Sequence, residues 1–226
     1  MEMHTLPSGR DYFNLEDLTL LKRLHDIGTI EWADKPYTLK SGIPSRVYIH
    51  GRNEITEDPS VLKLIGAKIA TRAEKVRSGG RPLCLIGIPT AGTPLAAAAS
   101  IYWGGMGFRQ MRQILKDHGA SHGWTDSPPN PDVEYMTTEN VMTTGRSIWE
   151  NLERLATDGY PMKKMHHIVL IDRQQGGLRK LAERGYEHVE VIYNLLDIAY
   201  AFKVMGLWSE ERYVSIVDEI QAHQAA

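Results

Sequence analysis

Residues 139–147, with the sequence Glu-Asn-Val-Met-Thr-Thr-Gly-Arg-Ser, combine the groups needed to bind a phosphate. The stretch follows a predicted strand and opens a predicted helix, so its hydroxyls and backbone N–H groups lie at the positive end of a helix dipole. Glu139, which comes first, is suited to accept hydrogen bonds from sugar hydroxyls. Thr and Ser also favour helix N-termini for their own sake, so a simple cap is the alternative. The stretch predicts a site for a phosphorylated sugar.

A second loop of this kind, residues 87–96, reads Gly-Ile-Pro-Thr-Ala-Gly-Thr-Pro-Leu-Ala. Small residues let the backbone approach a ligand closely, and exposed N–H groups there can form an anion-binding nest. A tight strand-to-helix turn explains the same residues without any ligand. Taken alone, this loop therefore does not establish a binding site.

Three cationic side chains lie at the start of a long polar stretch. Arg112, Lys116 and His118 fall within seven residues, and residues 116–132 are rich in Gly, Ser, Pro and Asp without hydrophobic periodicity. Loops longer than about 12 residues often act as lids. Lys116 is suited to stabilise developing negative charge, and His118 can titrate near neutral pH. A solvated, charged loop is the alternative explanation.

Arg173 follows another predicted strand, in the Asp-Arg-Gln-Gln-Gly-Gly sequence of residues 172–177. Its planar guanidinium can bind a carboxylate through two parallel hydrogen bonds. An ion pair with Asp172 or another nearby acid would explain the same residue. The motif is therefore a candidate site for an anionic ligand.

Two elements come before the main body of the fold. Apolar residues at helical spacing predict a helix over residues 15–27, with Asn14 as its cap. Residues 30–55 contain short strand-like runs at 30–32, 37–39 and 47–49, separated by turn residues. We call residues 30–55 the hood, because they predict a small antiparallel unit.

From residue 58 onward, strands and helices alternate. This rhythm favours a parallel sheet with helices on both faces, which binds ligands beyond the carboxyl ends of its strands. We expect a single domain over residues 1–226, in which residues 1–57 supply the first helix and the hood and residues 58–226 the α/β core. The predicted strands are residues 82–88, 107–114, 133–138, 167–171 and 189–192, and the predicted helices are residues 58–77, 92–101, 145–158, 176–184 and 209–222.

Composition excludes some classes of function. The 226 residues are 42% hydrophobic and 24% charged, as in ordinary globular proteins, and the net charge of −2 gives no basic field for nucleic acid or an anionic membrane. The single cysteine, Cys84, lies in an apolar run that predicts a buried strand, so we assign it no chemical role. No targeting pattern and no apolar stretch of about 18 residues occurs, so a reducing cytoplasm is expected.

In their order and spacing, five segments resemble the signatures of orotate phosphoribosyltransferases. The Lys-Asp-His-Gly sequence combined with Asp-Arg-x-x-Gly is specific to that branch, whereas many other phosphoribosyltransferases share only the Thr-Thr-Gly turn. The resemblance covers residues 15–200 and implies a type I phosphoribosyltransferase-like α/β fold: a parallel sheet flanked by helices, with a small N-terminal hood. The matching segments are residues 37–42, 87–96, 112–119, 139–147 and 172–177.

The resemblance also implies an activity. The family transfers phosphoribosyl from phosphoribosyl pyrophosphate (PRPP) to orotate, which gives orotidine 5′-monophosphate and pyrophosphate in de novo UMP biosynthesis. It implies Mg²⁺ carried by the pyrophosphate and ribose, with no direct protein ligand. It further implies a homodimer in which each lid reaches the neighbouring subunit's site, with no nucleic-acid or membrane partner.

Residue by residue, the resemblance implies that residues 143–147 bind the 5′-phosphate and that Glu139 binds the ribose hydroxyls. It implies that the loop after the first core strand and the lid bind the pyrophosphate. Arg173 would bind the carboxylate of orotate. The implied catalytic residues are Arg112, Lys116 and His118, and the implied substrate-binding residues are Lys40, Tyr48, Ile49, Thr90, Ala91, Glu139, Asn140, Val141, Met142, Thr143, Thr144, Gly145, Arg146, Ser147 and Arg173.

Five positions depart from the family pattern. Asn140 replaces the second of two adjacent acids, Gln113 replaces a lysine of the lid, and His50 replaces an Asp. Ala91 stands where bacterial members commonly have a lysine, and Arg146 where a small residue is common. These departures leave two alternatives open: a phosphoribosyltransferase for another base, or a weakened, PRPP- or nucleotide-sensing regulator on the same fold.

Overall fold

The computed structural model describes residues 5–39, 41–115 and 123–224, and these form seven strands, eight α-helices and one 3-10 helix, Met162–Lys164. The strands and α-helices are numbered. In chain order they are α1 (Leu15–Asp26), β1 (Ile30–Thr38), β2 (Pro44–Ile49), α2 (Asn53–Glu57), α3 (Pro59–Val76), β3 (Leu83–Gly87), α4 (Gly92–Trp103), β4 (Met106–Gln110), β5 (Glu134–Met142), α5 (Arg146–Thr157), β6 (His166–Asp172), α6 (Gly177–Ala182), β7 (Val189–Asn194), α7 (Leu195–Val204) and α8 (Glu210–Gln224).

The five strands β3 to β7 form one parallel sheet in the order β4-β3-β5-β6-β7. This confirms the predicted α/β class. The strand order reverses between β3 and β5, because the chain leaves β3 for the edge strand β4 and then crosses back to β5. Ligands of open parallel sheets bind in the crevice at such a switch point.

The two faces of the sheet are covered by separate apolar clusters. Leu83 and Leu85 of β3 belong to a cluster that also contains buried residues of α1, α3, α4, α7 and α8. Cys84 and Ile86 point to the other face, where residues of α5 and α6 cover them. This alternation is the two-residue period of a strand. Cys84 is buried as predicted, and burial raises the pKa of its thiol to about 11.

The hood is a single β-hairpin followed by a short helix. The antiparallel pair β1 and β2 starts at Ile30 opposite Ile49 and ends at Thr38 opposite Pro44, with an irregularity between Trp32 and Tyr37. The predicted separate runs at residues 30–32 and 37–39 are therefore one strand. Both predicted runs pair with β2, and the irregularity between Trp32 and Tyr37 lies at the break that the local pattern had suggested.

Several boundaries differ from the prediction. Strand β5 was expected to end at Thr138 but continues to Met142, because Glu139 and Met142 pair with β6. Strand β4 ends at Gln110, four residues earlier than expected. Helices α2 and α7 were not predicted, since α2 has only five residues and α7 follows β7 directly. Within the described ranges, no helix is long and apolar enough to cross a membrane.

Candidate active site at the carboxyl edge of the sheet

The predicted phosphate site is a three-residue turn, Thr143–Thr144–Gly145, between β5 and α5. Gly145 has a φ of 76°, and a Cβ there would lie 3.2 Å from both the Gly177 carbonyl oxygen and a Leu181 side-chain carbon, so glycine suits the position. Because the first N–H groups of a helix have no partner within it, the start of α5 offers donors to an anion. Residues 139–142, which had been assigned to the turn, belong instead to β5.

Glu139 is buried in β5, next to this turn. One of its carboxylate oxygens accepts a hydrogen bond from the Asn140 N–H at 2.9 Å. Burial raises the pKa of Glu139 to about 8, although the Asn140 N–H and the charge of Arg52 oppose this shift. Glu139 therefore lies in surroundings that disfavour its charged form.

Asn140 connects the core to the hood. Its side-chain oxygen accepts from the Val141 N–H at 2.8 Å, and its amide nitrogen donates to the Gly51 carbonyl at 3.0 Å. A Cβ at position 51 would lie 2.1 Å from that nitrogen, so the approach requires glycine or a displaced Asn140. The residue that departs from the family's paired acids therefore has a structural partner.

The second predicted loop lies directly against β5. Thr138 accepts a hydrogen bond from the Ile88 N–H at 3.0 Å through its carbonyl and donates its hydroxyl to the Gly92 carbonyl at 3.0 Å. Thr90 is exposed, Ala91 is buried ahead of α4, and the Pro89–Thr90 peptide is cis. The loop after β3 therefore packs against β5 itself, ahead of the turn that follows this strand.

Arg112 and Thr90 line a common cavity of about 450 Å³ at the carboxyl ends of β3 and β4. The guanidinium of Arg112 forms an ion pair with Asp126, with its Nε at 3.0 Å. The lining of the cavity therefore includes both a guanidinium and a threonine side chain. The predicted residues Lys40, Lys116 and His118 lie outside the described residues.

Arg173 is buried in the loop after β6 and points toward the hood. Its Nη2 donates to Ser45 Oγ at 2.6 Å and to the Val47 carbonyl at 3.0 Å, and lies 3.6 Å from the Glu219 carboxylate. Burial lowers the pKa of Arg173, while Glu219 opposes the shift. The acid that pairs with Arg173 is thus Glu219, and not its neighbour Asp172.

The remaining predicted positions surround this region. Tyr48 is partly exposed on β2, with its ring 4.5 Å from the ring of His50, whereas Ile49 is partly buried against the core. Met142 is buried and Val141 half-buried. Arg146, instead of adding a free charge beside the turn, pairs with Glu150 at 2.7 Å on an exposed face of α5, and Ser147 is also exposed.

No protein-family profile matches the chain. Individual proteins do. The chain is 32% identical over 168 residues to the uridine 5′-monophosphate synthase of Bos taurus, covering 74% of this chain and 33% of that protein. It is 29% identical over 173 residues to the orotate phosphoribosyltransferase of Aeropyrum pernix, covering 76% and 87% of the two chains.

The fold agrees with these relatives. The crystal structure of orotate phosphoribosyltransferase from Aeropyrum pernix superposes with a TM-score of 0.64 over 84% of this chain and 99% of that one, at 23% identity. The chain belongs to the orotate phosphoribosyltransferase family. It spans about one third of the bovine synthase but most of the shorter orotate phosphoribosyltransferases.

The resemblance to orotate phosphoribosyltransferases did not identify every residue that contacts the candidate site. Ser45, Gly51 and Glu219 contact predicted site residues, but the sequence assigned no role to any of them. Gly51 and Ser45 lie close in sequence to Tyr48, a predicted substrate-binding residue, so the sequence had already pointed to this region. Glu219 lies 44 residues beyond Gln175, to which it is hydrogen-bonded, and no local pattern marks it.

Proposed function

We propose that this chain transfers the phosphoribosyl group of PRPP to orotate, producing orotidine 5′-monophosphate and pyrophosphate for pyrimidine biosynthesis. The observation that carries the proposal is the presence, at the carboxyl edge of one parallel sheet, of a Thr-Thr-Gly turn, a buried carboxyl group and a buried arginine. Curated relatives of the chain include orotate phosphoribosyltransferases and a UMP synthase. The parallel sheet supports the same conclusion, because the loops after β3, β5 and β6 leave it at the same edge.

The sugar phosphate side of the proposed site is the end of β5. Thr143, Thr144 and Gly145 at the start of α5 hold the 5′-phosphate through hydroxyls, N–H groups and the helix dipole. Glu139 accepts hydrogen bonds from the ribose hydroxyls. Because Glu139 is buried, such hydrogen bonds compete little with water and orient the sugar.

The pyrophosphate side is the cavity lined by Thr90 and Arg112, together with Ala91 and the lid residues Lys116 and His118. Breaking the bond between C1 of the ribose and the pyrophosphate oxygen leaves positive charge on the sugar and negative charge on the leaving group. Arg112 and Lys116 stabilise the second charge, and a closed lid excludes water that would hydrolyse the sugar. A ring nitrogen of the base then forms the new bond to C1.

The base side lies between the hood and the loop after β6. Arg173 binds the carboxylate of orotate, and Tyr48 and Ile49 line the pocket, with Lys40 contacting PRPP. A guanidinium recognises a carboxylate by charge and by its planar shape. The proposal therefore assigns base specificity to a residue that is buried before substrate arrives.

Mg²⁺ is the implied cofactor. It prefers oxygen ligands and keeps several waters, so an ion carried by pyrophosphate and ribose needs few protein ligands. A single buried carboxyl group, Glu139, beside the ribose fits such an ion. When bound, Mg²⁺ neutralises negative charge on the departing pyrophosphate.

The proposal extends to assembly and location. A lid that carries Arg112, Lys116 and His118 would act across a homodimer, each subunit completing its neighbour's site. A buried, reduced Cys84 suits the cytoplasm. These points are supported by the family resemblance and by the position of Arg112 at the start of the polar stretch.

The first test is a turnover assay with a panel of bases. The purified protein is incubated with PRPP and Mg²⁺ and with orotate, uracil or a purine, and base absorbance is followed. We expect consumption of orotate that depends on PRPP. Turnover of another base alone would reassign the substrate, and calorimetric binding of PRPP without turnover of any base would favour a regulator.

A further inference from the structure

The C-terminal helix α8 reaches the base side of the site through one side chain, Glu219. Its carboxylate oxygens accept hydrogen bonds from Ser45 Oγ at 2.9 Å and from Gln175 Nε2 at 2.8 Å. Arg173 Nη2 lies 3.6 Å from the carboxylate and donates to Ser45 Oγ at 2.6 Å. Ser45 thus accepts from the arginine and donates to the glutamate. Three distant parts of the chain meet here: β2, the loop after β6, and α8.

This network is nearly closed to water. Only 2% of the Arg173 side chain and 12% of the Glu219 side chain are exposed. Burial disfavours the charged guanidinium, and a buried cation without a counter-ion is strongly unfavourable. Glu219 is the carboxylate that balances Arg173, so it allows a charged arginine to stay at this depth.

The side-chain hydrogen bonds of Arg173 to Ser45 and Val47 both come from Nη2. Its Nε is buried without a hydrogen-bond partner in the part of the chain that the structure describes. Buried donors are nearly always paired, so an acceptor brought by a ligand would complete this group. A carboxylate is the acceptor that a guanidinium binds best.

We infer that Glu219 is a positioning residue for base recognition, anchoring Arg173 at Nη2 so that the rest of the guanidinium receives the carboxylate of an acidic base. The inference rests on the proposed function, because it assigns a partner to the proposed base-binding arginine. Glu219 acts through Arg173 and does not contact the base. The C-terminal helix, which carries none of the predicted site residues, thereby contributes to substrate specificity.

Loss of the Glu219 charge should weaken the binding of orotate and leave the binding of PRPP unchanged. Without its charge, Arg173 loses its counter-ion and its anchored orientation, so an acidic base binds less well. PRPP is held by the phosphate turn and Glu139, which make none of the hydrogen bonds of this network. The Michaelis constants for orotate and for PRPP should therefore respond differently.

The variants Glu219→Gln and Asp218→Asn separate this role from a general change of charge. Glu219→Gln keeps the size and a hydrogen-bonding oxygen but removes the charge, whereas Asp218 is exposed on the same helix. We expect Glu219→Gln to raise KM for orotate by about tenfold or more and to leave KM for PRPP within about twofold. Asp218→Asn should leave both constants unchanged.

An unchanged KM for orotate in Glu219→Gln would overturn the inference, and so would an equal rise in both constants, because that is the result of a purely structural defect. If circular dichroism shows that Glu219→Gln does not fold, Glu219→Asp decides: the inference requires a rise confined to orotate. If the unaltered protein turns over orotate and the variants have an unchanged KM for orotate, the role of Glu219 is refuted and the proposed function stands. No turnover by the unaltered protein refutes the proposed function as well.

Discussion

Burial changes the chemistry of Glu139, the carboxyl group assigned to the ribose. Its pKa rises from 4.5 to about 8, mainly because the charged form is poorly solvated inside the protein. Near pH 7 the free protein therefore holds Glu139 largely protonated. Hydroxyl donors from ribose favour the charged form, so the site is suited to a ligand that brings several such donors.

Replacing Glu139 with Gln should alter how stability depends on pH. Between its unfolded pKa of 4.5 and its folded pKa of about 8, the folded protein keeps a proton that the unfolded chain releases. The contribution of Glu139 to the free energy of unfolding therefore falls as pH rises through this window. Glutamine cannot ionise, so Glu139→Gln should gain stability relative to the unaltered protein from about pH 5 to about pH 8.

Urea denaturation of both proteins across this pH range measures the difference. Glu57→Gln, an exposed substitution in α2, is the matched control and should follow the unaltered protein at each pH. A constant difference between Glu139→Gln and the unaltered protein would contradict the assigned burial effect. The test does not depend on any ligand.

At the scale of secondary-structure elements, the site depends on how closely the loop after β3 packs against β5. The hydrogen bonds between Thr138 and residues Ile88 and Gly92 hold this loop in place. A Cβ at position 92 would lie 2.2 Å from the Thr138 carbonyl oxygen, which belongs to the sheet backbone and cannot rotate away. Glycine at position 92 is therefore required by this approach.

We expect Gly92→Ala to move the loop away from β5 and to lower the free energy of unfolding by about 1–3 kcal/mol, as overpacking in a tight interior does. Gly80→Ala is the control, because a Cβ at position 80 meets no atom within 4 Å. Denaturant unfolding compares the two variants. Equal stability of Gly92→Ala and Gly80→Ala would show that the loop is looser than described.

At the scale of the whole molecule, two side chains of the core bind the hood at the carboxyl edge of the sheet. Asn140 donates to the Gly51 carbonyl, and Arg173 donates to the Val47 carbonyl. Both core residues thus hold backbone carbonyls of the hood, and both are assigned to substrate. Docking of the hood and assembly of the site are therefore coupled.

Asn140→Asp tests this coupling, because it replaces the amide that donates to the Gly51 carbonyl with a carboxylate, which cannot donate. The variant places a carboxylate oxygen near the Gly51 carbonyl, so we expect the free energy of unfolding to fall by about 1–3 kcal/mol. Asn53→Asp, an exposed substitution in α2, makes the same chemical change and should cause no such loss. Thermal and urea unfolding measure both. Unchanged stability of Asn140→Asp would show that the amide does not hold the hood.

Local signals predicted much of the fold. Helix α1 begins after Asn14, whose side chain accepts the Asp17 N–H as a cap, and α3 begins at Pro59 after the capping side chain of Asp58. These boundaries depend on chemistry within one turn of the chain. The end of β5 depends on pairing with β6, which lies 30 residues further along the chain, so the sequence pattern placed it four residues too early.

By itself, the sequence determined the alternation of strands and helices, the loops that carry phosphate-binding chemistry and the resemblance to one family, because each rests on residue types and short spacings. Tertiary structure alone decided two partners of those residues: Gly51 for Asn140 and Glu219 for Arg173. Both contacts join segments more than 40 residues apart. Their formation depends on how the hood and α8 pack on the sheet, and no local pattern records that packing.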